Sequence, residues 1–131
     1  MLASPSFNFH TFSSINQNQN NTTEKVNNVT TAFGNGSRTS VNGPVSIATI
    51  YAPYGISINP ITQEVYIAEA GTGNIRAWNR TSQTVRDAVA NLFSINPFHL
   101  DFMNDGVAFI AQNSGLLKLF PNGLYLIICR K

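Results

Sequence analysis

The sequence predicts an all-β fold: about two antiparallel four-stranded units behind a polar N-terminal segment. Three observations carry this reading. Short apolar runs that mostly alternate in character are separated by turns rich in Gly, Asn and Pro. The order of runs and turns recurs after about 43 residues. The 131 residues are 43% hydrophobic and only 11% charged, which suits one domain.

The first unit begins after residue 52. Residues 54–59 (YGISIN) alternate, with Ile56 and Ile58 on one face and Ser57 on the other. Pro60 fixes φ and lacks a donor, so residues 59–63 (NPITQ) read as a turn. Residues 64–70 (EVYIAEA) form the next strand, residues 71–74 (GTGN) a second turn, and residues 75–78 (IRAW) a third strand. Residues 84–93 (TVRDAVANLF) fit a helical stripe as well as an irregular strand. The repeat favours strand.

The second unit follows the same order. Residues 98–103 (FHLDFM) lead into the hairpin signal Asn104-Asp105-Gly106. Residues 107–112 (VAFIAQ), the turn at 113–115, residues 116–120 (LLKLF) and the turn Pro121-Asn122-Gly123 complete the match. Pro53 maps to Pro97, Tyr66-Ile67-Ala68-Glu69 to Phe109-Ile110-Ala111-Gln112, and Arg76-Ala77-Trp78 to Lys118-Leu119-Phe120. A period of this length built from short strands is the mark of a β-propeller blade, which buries its faces by stacking on neighbours.

Residues 53–60 (PYGISINP) and 64–69 (EVYIAE), with Gly73-Asn74-Ile75-Arg76, resemble the NHL-repeat family of β-propellers. The likeness covers residues 26–123. It implies that residues 26–33 (VNNVTTAF) are the outer strand of an earlier blade, that the glycine-spaced stretch ending in Pro53-Tyr54-Gly55 links blades, and that Asn59, Glu69 and Gln112 tie adjacent loops together. It leaves the domain order as residues 1–24, a disordered polar segment; 25–52, an outer strand plus loop; 53–96, a full repeat; and 97–131, a second, incomplete repeat.

Two blades leave both ends of a stack open. Ile56, Ile58, Val65, Ile67, Ile75 and Leu117 are then expected to meet water, a deficit of several kcal/mol at about 25 cal/mol per Å². The chain is thus expected to be a piece of a longer or truncated protein, or a unit that assembles. Closure needs further blades or an oligomer. Residues 124–129 (LYLIIC) are apolar almost throughout, and unpaired they would invite aggregation. Their position makes them the outer strand of the second unit.

Chemistry is sparse. The net charge of +2 does not suit a polybasic nucleic-acid binder. No apolar run approaches the roughly 20 residues that span a bilayer. The single cysteine, Cys129, forms no internal disulfide and reads as apolar filler. Met1 to Thr23 lack Asp, Glu, Lys and Arg, and residues 1–14 show neither the basic nor the apolar region of a secretory signal. Asn-x-Ser/Thr triplets stand at Asn20, Asn21, Asn28, Asn35 and Asn79. They permit a secretory setting without arguing for one. His10 and His99 form no triad with the carboxylates. Trp78 and Phe120 recur at the repeat spacing and read as packing residues. Glu69 and Asp101 are the one pair that could line a cation site at a common opening. No catalytic, cofactor or metal residue is assigned. The expected function is a non-enzymatic scaffold for a protein partner, with no nucleic acid and no membrane. A segment of a metal-dependent propeller lactonase or lyase is the alternative.

Overall fold

A computed structural model describes residues 9–14, 27–90, 96–113, 115–123 and 125–130. Among them there is no helix, and every strand pairing is antiparallel. Strands β1 (Phe9–Ser14) and β2 (Asn27–Phe33) pair with each other. Strands β3 (Gly43–Pro44), β4 (Pro53–Ile58), β5 (Val65–Glu69), β6 (Asn74–Asn79) and β7 (Thr84–Val89) form one sheet in the order β3-β7-β6-β5-β4. Strands β8 (Pro97–Phe102), β9 (Ala108–Gln112), β10 (Gly115–Leu119) and β11 (Tyr125–Arg130) form another, in the order β11-β10-β9-β8.

β4–β7 and β8–β11 are one design used twice, here called units 1 and 2. Tyr66 and Phe109 hold equivalent places: Tyr66 pairs with Ser57 and Ala77, Phe109 with Asp101 and Lys118. The irregularities repeat too. Tyr54 is an extra residue bulged out of β4, as Phe98 is out of β8. Ala88 is bulged from β7, as Ile128 is from β11. Bulges fall at fixed places because they re-aim a strand, so their coincidence ties the two units more closely than residue type does.

One alignment changes. Arg76 is equivalent to Leu117, and Ala77 to Lys118, so the match of Arg76-Ala77-Trp78 to Lys118-Leu119-Phe120 slips by one residue. The turn between Glu69 and Asn74 is two residues longer than that between Gln112 and Gly115, and the slip puts each side chain on the opposite face.

The faces define the architecture. Face A of unit 1 carries Tyr66, Ala68, Ile75, Ala77 and Val89, and face B carries Val65, Ile67, Arg76, Trp78 and Val85. Face B of unit 2, with Leu100, Ala108, Ile110, Leu117 and Leu119, packs on face A of unit 1 in one buried cluster. Face B of unit 1 is covered by its own chain: Phe33, Ala48 and Ile50 join Val65, Ile67, Trp78 and Val85 in a second cluster. Val65, Ile67, Ile75 and Leu117 are therefore buried, and of the six apolar residues expected to meet water only Ile56 and Ile58 do. The reason is the loop after β2. It crosses face B and adds β3 to the outer edge of β7, so unit 1 gains a fifth strand.

Thr84–Val89 is strand, as the repeat favours, while residues 91–93 of that stretch lie outside the described residues. Of the segment read as disordered, residues 1–8 and 15–24 also lie outside them, and Phe9–Ser14 is β1. β2 pairs with β1, and Tyr125–Arg130 takes the outer-strand position expected of it.

Candidate functional site

The inner edge of the stack is built by β4 and β8, the free-edged end strands of their sheets. Their bulges bring Tyr54 and Phe98 out to solvent, 66% and 39% exposed. The two rings meet edge to face, centroids 5.4 Å apart. Gly55 makes this approach possible. A Cβ there would lie 2.6 Å from the Phe98 carbonyl oxygen and 2.7 Å from His99 Cα. Further along, Ser57 Oγ donates to Asp101 Oδ1 at 3.3 Å. The edge is thus an aromatic pair beside a hydroxyl–carboxylate pair, assembled from equivalent positions of both units. His99 is exposed beside it.

A second feature lies at the outer rim between the units. A cleft of about 200 Å³ is lined by Tyr66, Arg86, Phe102 and Phe120 among others. Tyr66 and Phe102 close its floor edge to face, centroids 4.9 Å apart. Arg86 Nη2 donates to Glu64 Oε2 at 2.7 Å. Burial acts to lower the Arg86 pKa, but hydrogen bonds to Glu64 and Tyr66 and their charge outweigh it and leave it raised. Its cation is committed to Glu64.

Glu69 and Arg76 are fully buried on unit 1. Arg76 Nη1 donates to Glu69 Oε1 at 2.7 Å, to Ser40 Oγ at 2.6 Å and to the Thr49 carbonyl at 3.0 Å. Arg76 Nη2 donates to Asn42 Oδ1 at 2.7 Å and to the Val41 carbonyl at 3.0 Å. Arg76 Nε lies 3.0 Å from Asp87 Oδ1, close enough for an ion pair but not aligned for a hydrogen bond. Glu69 also accepts from Tyr51 N–H, from Ser40 Oγ and, through a short contact, from Thr72 Oγ1. The sequence offers Glu69 both as half of a cation pair near an opening and, through the family resemblance, as a tie between adjacent loops. It is the centre of a clamp that fixes residues 40–51 over face B.

Glu69 and Asp101 are accordingly not brought together: Glu69 pairs with Pro53 at one end of β4, while Asp101 bonds to Ser57 near the other. No group of three or more His, Cys, Asp or Glu that could hold a metal occurs among the described residues. No helix among them is long and apolar enough to cross a membrane. Asp105 accepts from Val107 N–H and shapes the β8–β9 turn. Trp78 packs against Phe33, centroids 6.0 Å apart, while Phe120 is half-buried beneath Lys118 Nζ at 5.2 Å. The side chains of His10 and Cys129 lie outside the described residues. Sequence reasoning missed Tyr54 and Phe98. The signal was present, an aromatic after each matched proline, but a bulge cannot be seen in alternation alone. No family model matches this chain, and no curated protein matches it.

Proposed function

We propose that the chain is part of an NHL-repeat-like β-propeller and serves as a non-enzymatic scaffold that binds a protein partner at the inner edge. The observation that carries this is the exposed Tyr54–Phe98 pair, presented by two equivalent bulges on free-edged strands. Exposed aromatics on a rigid frame are characteristic anchors for protein contacts. The sheets hold them still: face A of unit 1 and face B of unit 2 are buried together, and the second face of unit 1 is clamped by Arg76. Fold alone does not assign function, so the site must carry the reading. The metal-enzyme alternative loses its support because the Glu69 carboxylate is taken up by Arg76, Ser40, Thr72 and a backbone N–H.

A photo-crosslinking amino acid at position 54 tests the proposal in extract from the source cells. A discrete protein adduct is expected, abolished by excess unlabelled chain and by Phe98→Lys. No saturable adduct at position 54 or 98 would overturn the inner-edge reading. Calcium and zinc titration by calorimetry supplies the other arm: stoichiometric uptake would contradict the non-enzymatic assignment.

A further inference from the structure

Units 1 and 2 share one design, so the positions where their chemistry differs are informative. Four such positions fall together. Asn59, Glu64, Tyr66 and Arg86 of unit 1 are equivalent to Met103, Val107, Phe109 and Leu126 of unit 2. Each is polar in the first unit and apolar in the second. The strands and turns close equally well without the polar groups, so the fold does not require them. Asn59, Tyr66 and Arg86 line the outer-rim cleft between the units, and Glu64 holds Arg86 at 2.7 Å.

Asn59 supplies a second, independent observation. It is only 6% exposed. Its Oδ1 accepts from the N–H groups of Ile61 and Thr62. Its Nδ2 has no hydrogen-bond partner among the described residues. A nearly buried side chain at the cleft thus keeps one donor in reserve, where buried polar groups are ordinarily paired.

We propose that this cleft binds a small uncharged sugar, one pyranose ring in size. Size is the first reason. At about 200 Å³ the cleft is smaller than the roughly 300–1,000 Å³ of sites for drug-sized ligands. Charge is the second. Arg86 is the only ionised group among the described lining residues, and Glu64 meets its charge. Neither an anion nor a cation finds an unmatched counter-charge there. Bonding capacity is the third. A sugar hydroxyl donates and accepts at once, as does the Tyr66 hydroxyl. Donors come from Asn59 Nδ2 and from Arg86, whose guanidinium carries more N–H groups than Glu64 and Tyr66 take up. The side chains of Phe102 and Phe120 give the ring carbons an apolar wall. The walls belong to two units already packed on each other. A blade added to face A of unit 2 would sit on the other side of that sheet.

The test is nuclear magnetic resonance on the full chain. The probes are glucose, galactose, mannose and N-acetylglucosamine, each up to about 50 mM, a range that reads millimolar affinity. Acetate and inorganic phosphate serve as charged probes, and glycerol as a non-specific one. One sugar is expected to saturate, about fivefold tighter than the next, and to shift the Asn59 side-chain N–H signals. Glu64→Val with Arg86→Leu gives unit 1 the residues that unit 2 carries, and should weaken binding about tenfold or more. Tyr66→Phe removes only a hydroxyl and should weaken it about fivefold. Circular dichroism checks that both variants fold, and Tyr66→Phe decides the matter if the double variant does not. Ile47→Ser, on the loop over face B, should change nothing. No saturable binding by any of the four sugars would overturn the proposal. So would tighter binding of acetate or phosphate, sugar binding no better than that of glycerol, or affinity unchanged in the folded variants. The inner edge lies apart from this cleft, so crosslinking at position 54 reports on the protein partner whichever result is found.

Discussion

A single buried cation organises the N-terminal side of the molecule. Arg76 is held by Glu69, Asp87 and four groups of the loop that covers face B. Removing one member of a buried pair strands the other, at roughly 3–5 kcal/mol. Arg76→Met should lose stability on that scale in urea unfolding. Unit 2 suggests a partial rescue, because it carries Leu117 where unit 1 has Arg76 and Gln112 where it has Glu69. Arg76→Leu with Glu69→Gln should therefore lose at least about 1 kcal/mol less than the sum of the single changes, a coupling of ordinary size for contacting residues. Strict additivity would contradict the clamp. This cluster was only partly legible in the sequence. The Gly73-Asn74-Ile75-Arg76 match marks the arginine and the resemblance gives Glu69 a loop-tying role, but nothing local to either says that they pair or that a loop some thirty residues earlier will close over them.

Turn chemistry belongs to the same scale and was easier to read. In residues 59–63 and 79–83 the Asn side chain accepts from two following N–H groups, and the terminal Gln reaches back to a carbonyl with φ near +60°. Asn79→Ala should lose about 1 kcal/mol by thermal melting, the usual worth of a lost side-chain bond to backbone. Gln83→Gly should be tolerated and Gln83→Val should not, since only glycine enters the left-handed region freely. Equal losses from both would argue that φ is not what position 83 requires.

Between elements, the inner strands come closest. Gly55 leaves room for β8, and its equivalent in unit 2 is His99, over which no strand crosses among the described residues. Gly55→Ala would press a methyl group into backbone that cannot yield, so the β4–β8 contact should open. A fall in urea midpoint together with greater exposure of Tyr54 and Phe98 to quenchers is expected. An unchanged midpoint would show that the sheets are not held at this point. Alternation and turn residues revealed the first three strands of each unit, because period two and Gly/Asn/Pro punctuation are local properties, while the fourth strands were placed only by the repeat and by position. The one-residue slip between β6 and β10 was invisible, because a turn two residues shorter leaves both strands apolar, and residue type then matches best one position out, on the wrong face. β3 was invisible for a related reason. Gly43-Pro44 has no strand character of its own and pairs only because the loop is pinned against β7.

At the scale of the whole molecule, the described residues cover the stack at face B of unit 1 and leave face A of unit 2 uncovered. The expectation of two open ends fails in unit 1 because residues 33–50 supply Phe33, Ala48 and Ile50 as a cover, a role no periodicity announces. At the interface between the units, Tyr66 meets Phe102 edge to face within the shared cluster. A double-mutant cycle on Tyr66→Ala and Phe102→Ala should give a coupling of about 0.5–1.5 kcal/mol, as for other buried aromatic pairs. The central claim is that two copies of one sheet unit stack face A on face B. Nuclear Overhauser contacts between the aromatic protons of Tyr66 and Phe102 test it most directly. They should be strong and should accompany contacts between Tyr54 and Phe98. Intact cross-strand contacts within each sheet, with none between Tyr66 and Phe102, would mean that the units fold but do not stack.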